Sequence, residues 1–119
     1  MTPAEMEAIV LAFPGAEEAM SYGSQSYKLN GKFFTRLRRE DQSMVIMEVS
    51  LDEREMLMEA EPATFHFTVH YRNYPCVLAR IETLHPGSFK NFLARRFRKI
   101  AKKSVVKEFD AQPSASPGA

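Results

Sequence analysis

The chain has 119 residues, 45% hydrophobic and 26% charged, a formal net charge of +1 and a single cysteine. That length suits one domain with one core, and the composition excludes a disordered or membrane-embedded class. One thiol, Cys76, excludes a disulfide framework and a cysteine zinc cluster, and is expected half-buried in a strand. No apolar run approaches the roughly 18 residues of a membrane span, and the acidic start MTPAEMEAIVLAF lacks the basic region of a signal peptide. A cytoplasmic protein with no membrane partner is expected.

The near-neutral total hides an asymmetry. Residues 1–61 hold six Lys and Arg against twelve Asp and Glu, whereas residues 62–119 hold ten against three, a split of −6 and +7. The excess crowds one segment, Lys90, Arg95, Arg96, Arg98, Lys99, Lys102, Lys103 and Lys107. A polyanion such as DNA or RNA, or an acidic protein surface, is the natural partner of such a cluster.

In chain order, Thr2-Pro3-Ala4-Glu5 reads as a capping box with proline at the first helical position. Met6, Ile9, Val10 and Phe13 follow at helical spacing, and Pro14-Gly15 stops the helix. From Glu17 to Ser50 the period changes to two, which predicts three or four antiparallel strands with a type I′ hairpin turn at Asn30-Gly31. In KFFTRLR, alternation puts Phe33, Thr35 and Leu37 on one side. Lys32, Phe34, Arg36 and Arg38 then form a basic face with an aromatic among the charges, unless that face is simply solvated. Ser50-Leu51-Asp52-Glu53 repeats the capping-box pattern and opens a second helix, to about Ala60.

His66 and His70 in HFTVH have the spacing of two zinc ligands on a helix. Their neighbours Thr64, Phe65, Phe67, Thr68, Val69 and Tyr71 are all β-branched or aromatic and alternate with period two, so a strand is predicted. On a strand the two histidines sit about 13 Å apart, too far to share a metal. Arg72-Asn73-Tyr74-Pro75 then turns, and Cys76 to Glu82 returns as the second strand of a hairpin.

Pro86, with His85 as a weak N-cap, opens a long C-terminal helix whose stripe is Phe89, Phe92, Leu93, Phe97, Ile100 and Ala101. Arg95, Arg98, Lys99 and Lys102 fall opposite, and no acid occurs between Lys90 and Lys107. Such a face repels itself unless something neutralises it, either a partner or the acidic first half of the same chain. The uncharged tail from Ala111, AQPSASPGA, reads as disordered, leaving residues 1–110 as the domain.

FPGAEE after a first helix, YKLNGKFF, EPATFHFTVHYRNYPCVLARIE and FLARRFRKIAKKSVVKEFD together resemble the MmcQ/YjbR family over nearly the whole chain to Asp110. Pro14, Gly15, Gly31, Lys32, Phe34, Phe65, His70, Tyr71, Val77, Arg98, Ala101, Lys103 and Asp110 carry the likeness. The resemblance implies an α+β fold of the frataxin-like (CyaY-like) kind, a double wing, and DNA binding without catalytic residues. The last helix departs from the family's Ala-Trp-Arg run and following proline, with Arg96 for the alanine, Phe97 for the tryptophan and Lys102 for the proline. A frataxin-like fold also raises iron binding on an acidic ridge, for which Glu5, Glu7, Glu17 and Glu18 are too few and too scattered.

The leading expectation is a non-enzymatic nucleic-acid-binding module using Arg95, Arg98, Lys99, Lys102 and Lys103 with Lys32, Arg36 and Arg38 on phosphates, and Phe34 or Tyr74 for stacking. A protein-interaction module docking acidic partners, or self-associating, is the alternative. A small-molecule binder with His70, Tyr71 and Arg80 lining a pocket between sheet and helix is weaker. No nucleophile with a nearby base, Gly-rich phosphate loop or paired-ligand spacing is present, so no enzyme, cofactor or metal is expected.

Overall fold

The computed structural model describes residues 1–21 and 24–111. Tyr22 and Gly23, within the strand region predicted from Glu17 to Ser50, and nearly all of the predicted disordered tail lie outside them. The elements are α1 (Pro3–Leu11), β1 (Ala16–Ser21), β2 (Ser24–Leu29), β3 (Lys32–Arg38), β4 (Ser43–Met47), α2 (Leu51–Ala60), β5 (Phe65–His66), β6 (Cys76–Arg80), α3 (Pro86–Ile100) and α4 (Lys103–Ala111). Six antiparallel strands in the order β1-β2-β3-β4-β6-β5 make one sheet, which gives the expected α+β class.

Local chemistry explains most boundaries. Thr2 Oγ1 accepts from the Glu5 N–H while the Glu5 carboxylate accepts from the Thr2 N–H, so both halves of the first capping box form. At the second, Ser50 Oγ accepts from the Glu53 N–H, but the Glu53 carboxylate is turned elsewhere. Asn30 and Gly31 have φ of 53° and 79°, the two positive values that a type I′ turn requires. His85 Nδ1 accepts from the Gly87 N–H and caps α3.

The inner face of the sheet packs on α1 and α3. Met6 and Val10 from α1, Tyr27, Leu29, Phe34, Met44, Ile46, Val77 and Ala79 from the sheet, and Phe89, Leu93 and Phe97 from α3 share one core. The opposite, outer face follows from the register: Arg38 pairs with Ser43, Ser43 with Arg80, Val45 with Leu78, and Leu78 with His66.

Three expectations are corrected. First, Phe34 does not lie among the charges of β3. Tyr27 pairs with Thr35 and Lys28 with Phe33, so Phe34 is an extra, unpaired residue. The bulge turns it inward, edge-on to Phe13 with ring centroids 5.5 Å apart. Second, the strand predicted through Tyr71 ends at His66. The chain leaves the sheet edge and makes a single 3₁₀ turn at Val69–Tyr71, so a nine-residue loop, 67–75, joins β5 to β6. Third, the long C-terminal helix is two. Ala101 has ψ of 159°, which is extended backbone, and α4 starts anew at Lys103. Along an unbroken helix Phe97 and Phe109 would lie about 18 Å apart; here their rings meet at 4.8 Å, and Phe109 also stacks on Phe13 at 5.5 Å. Burial of Phe109 is what folds α4 back, and it takes Lys102 off the helical wheel of α3. Smaller shifts end α1 at Leu11, with Phe13 buried in the following turn, and β6 at Arg80.

Candidate functional site

The solvent face of α3 forms as the spacing requires, with Leu93, Phe97 and Ile100 buried and Arg95, Arg98 and Lys99 exposed. Its charge is partly answered from within the chain. Arg95 donates to both oxygens of Glu53 at 2.7 and 3.2 Å and to the Glu48 carbonyl at 3.0 Å. Arg96 holds Glu48 Oε2 at 2.6 Å and the Phe33 carbonyl at 2.7 Å; Lys99 approaches Glu48 Oε1 at 3.1 Å; Arg98 donates to Asp110 at 2.7 Å. Glu48 is the hub of this group. Burial pushes its pKa up, but the hydrogen bonds from Arg96 and Lys99 outweigh that and hold the carboxyl below its usual range. Its φ is +62°, a left-handed conformation costly for glutamate, and these bonds help to hold it there. Among the described residues, exposed Lys90, Lys102, Lys103 and Lys107 have no carboxylate within ion-pair distance.

The hairpin cations separate. Lys32 is exposed at the start of β3, next to the Phe33 carbonyl that Arg96 holds, so it lies on the α3 side. Arg36 and Arg38 lie on the outer face. Arg36 donates to the Tyr71 hydroxyl at 2.8 Å, and the Arg38 guanidinium sits 5.6 Å from the Tyr71 ring centroid. Arg38 is buried and paired with Asp41 at 3.3 Å and Glu40 at 3.6 Å. The eight basic residues singled out from the sequence are therefore not one flat patch, because the sheet lies between two of them and α3.

His70, Tyr71 and Arg80 do not line a pocket between sheet and helix, since α3 covers the inner face and all three lie with the loop and the outer face. His70 is exposed, its ring edge-on to Tyr71 at 4.8 Å and 6.3 Å from Tyr74; Arg80 Nη1 donates to the Ala63 carbonyl at 3.4 Å. An open depression of about 400 Å³ is instead lined by Pro3, Glu18, Met20, Gln25, Leu37, Arg39 and Gln42.

His66 faces Ser43 Oγ at 2.8 Å and Asp41 Oδ2 at 3.7 Å, both at Nε2. A hydrolytic triad needs the carboxylate on the other ring nitrogen, so this group does not build one. Burial and the nearby Arg80 lower the His66 pKa against the pull of Asp41. Among the described residues, no three His, Cys, Asp or Glu side chains gather as a metal site needs, and no helix is long and apolar enough to cross a membrane.

The residue that sequence reasoning missed is Arg54. It is buried in α2 without a carboxylate, and its guanidinium donates to the carbonyls of Tyr71 (3.0 Å), Arg72 (2.7 Å), Tyr74 (3.3 Å) and Cys76 (3.2 Å) while lying 4.1 Å from the Phe67 ring centroid. It clamps the whole 67–75 loop. The available signal was an arginine three and four residues before Leu57 and Met58, on the one partly buried stripe of an otherwise acidic helix. The loop also approaches the α3 cations: the Val49 N–H donates to the Pro75 carbonyl at 3.1 Å, one residue from the Glu48 carbonyl that Arg95 holds.

Neither the curated proteins nor the solved structures contain a match to this chain. The family model described as YjbR matches residues 11–98, which runs from the end of α1 to the basic face of α3 and takes in the whole sheet and the clamped loop. The chain belongs to the YjbR family.

Proposed function

We propose that the chain is a non-enzymatic nucleic-acid-binding domain that meets phosphates at the bend between α3 and α4. The observation that supports this is the cation cluster at that bend. Arg98, Lys99, Lys102, Lys103 and Lys107 are all exposed, and only Arg98 and Lys99 have carboxylate partners among the described residues. The Arg98–Asp110 pair is about half exposed, so it contributes little and yields readily to a phosphate. Arg95 and Arg96 hold α3 onto Glu53 and Glu48, and in this reading they brace the surface instead of contacting ligand.

The test is fluorescence anisotropy with labelled DNA and RNA, comparing the wild type with the triple variant Lys102→Gln, Lys103→Gln, Lys107→Gln. Binding should weaken at least about tenfold in the variant, given counterion release from three phosphates. Equal binding by both proteins would refute the assignment.

A second reading, self-association, is favoured by the surface of α2. There Met56 is 69% and Leu51 46% exposed among Asp52, Glu55 and Glu59, an acidic and apolar complement to the α4 lysines of another copy. Sedimentation without nucleic acid would then show a dimer that dissociates as salt is raised.

A further inference from the structure

The 67–75 loop combines exposure with fixation. Val69 is 76% and Tyr74 56% exposed, and His70 is exposed beside them. An ordinary mobile loop loses entropy when its aromatic rings are immobilised by a ligand. Here three loop carbonyls, with that of Cys76 at the start of β6, are already tied to Arg54, and the rings of His70, Tyr71 and Tyr74 lie within 6.4 Å of one another. The loop's own segment carries positive charge only. Residues 62–81 contain Arg72 and Arg80 and no acid, and Arg36 reaches the loop at the Tyr71 hydroxyl. A ligand that satisfies both features has flat π faces and an anionic backbone.

The geometry points to the loop as a stacking platform for unpaired nucleobases, Tyr74 and His70 receiving the bases and Arg72 and Arg36 the adjoining phosphates, so that the ligand is single-stranded. This rests on the nucleic-acid reading above and adds the class of nucleic acid. A duplex hides its base faces and offers only phosphates to the loop, whereas a single strand presents both. The Glu48–Val49 backbone links the loop, at the Pro75 carbonyl, to Arg95 of α3.

The experiment compares an oligothymidylate of about 15 nucleotides with a duplex of equal length, titrated against the wild type, Tyr74→Ala, His70→Ala and Tyr74→Phe. Tyr74 is more than half exposed and offers Arg54 only its carbonyl, so these changes leave the clamp intact. The wild type should prefer the single strand. Tyr74→Ala and His70→Ala should each lose about fivefold or more on it with little change on the duplex, and Tyr74→Phe, which keeps the ring, should bind as the wild type. Salt-sensitive binding unchanged in both alanine variants, or a preference for the duplex, would overturn the stacking platform and leave the α3–α4 surface standing. No binding of either oligonucleotide at low salt would overturn both, and would leave the loop to an acidic peptide.

Discussion

Arg54 stands where a helix's inward stripe would ordinarily carry leucine, and its cost in desolvation is offset by four carbonyl partners rather than by a counter-ion. Arg54→Met keeps the bulk but leaves those carbonyls without a donor. It should destabilise the protein by about 3 kcal/mol, read as a lower denaturation midpoint, with the loop becoming the first site of proteolysis. His66 carries a pH dependence of definite sign. Its folded pKa lies below the ordinary 6.5, so the unfolded chain takes up the proton first. The stabilisation is complete above pH 6.5 and is lost as the pH falls through the lowered folded value. Denaturation midpoints measured from pH 7.5 down to 5 should fall, and His66→Gln should flatten that slope. Neither role was legible from sequence: a buried arginine and a histidine beside a serine look like surface residues until distant carbonyls and hydroxyls are brought to them.

At the level of elements, signals confined to a few neighbouring residues were readable and those that depend on distant contacts were not. The Thr2 box, the Asn30-Gly31 turn, the Ser50 and His85 caps and α2 follow from local chemistry. The bulge at Phe34 was missed because alternation assumes an unbroken register, and the phenylalanine gains a place against Phe13 by breaking it. β5 stops at His66 although Phe67, Thr68, Val69 and Tyr71 favour a strand, and the chain beyond it is held instead by Arg54, through the Phe67 ring and the carbonyls of Tyr71, Arg72 and Tyr74. The break at Ala101 falls next to Lys102, the position at which the family resemblance implies a proline, and the extended backbone of Ala101 is the conformation that precedes one. Contact of Phe109 with Phe13 and Phe97 therefore fixes a bend that this chain makes without proline. A nine-residue helix is too short to persist alone. Phe109→Ala should remove about 2 kcal/mol and, in circular dichroism, the helical signal of α4, while the sheet and α3 persist.

Across the whole molecule the −6 and +7 halves are joined mainly through Glu48 and Glu53. Intramolecular neutralisation, one of the two uses the sequence left open for the basic helix, accounts for Arg95 and Arg96 and only partly for the exposed Lys99, while Arg98, Lys99 and the lysines of the bend remain for the other. The α+β class, the inward stripes of α1 and α3 and the location of the excess charge were all readable in advance. Which charges meet was not, because the pairs Arg95–Glu53 and Arg96–Glu48 join residues more than 40 positions apart. The central claim, that this remaining surface binds nucleic acid, makes a prediction about salt that folding contacts cannot imitate. The most direct measurement is the affinity of the wild type for a single-stranded oligonucleotide as a function of salt concentration. About five phosphate contacts predict a log–log slope near −3.5, reduced by about two in the Lys102→Gln, Lys103→Gln, Lys107→Gln variant. A slope near zero, or one that the three substitutions leave unchanged, would contradict it.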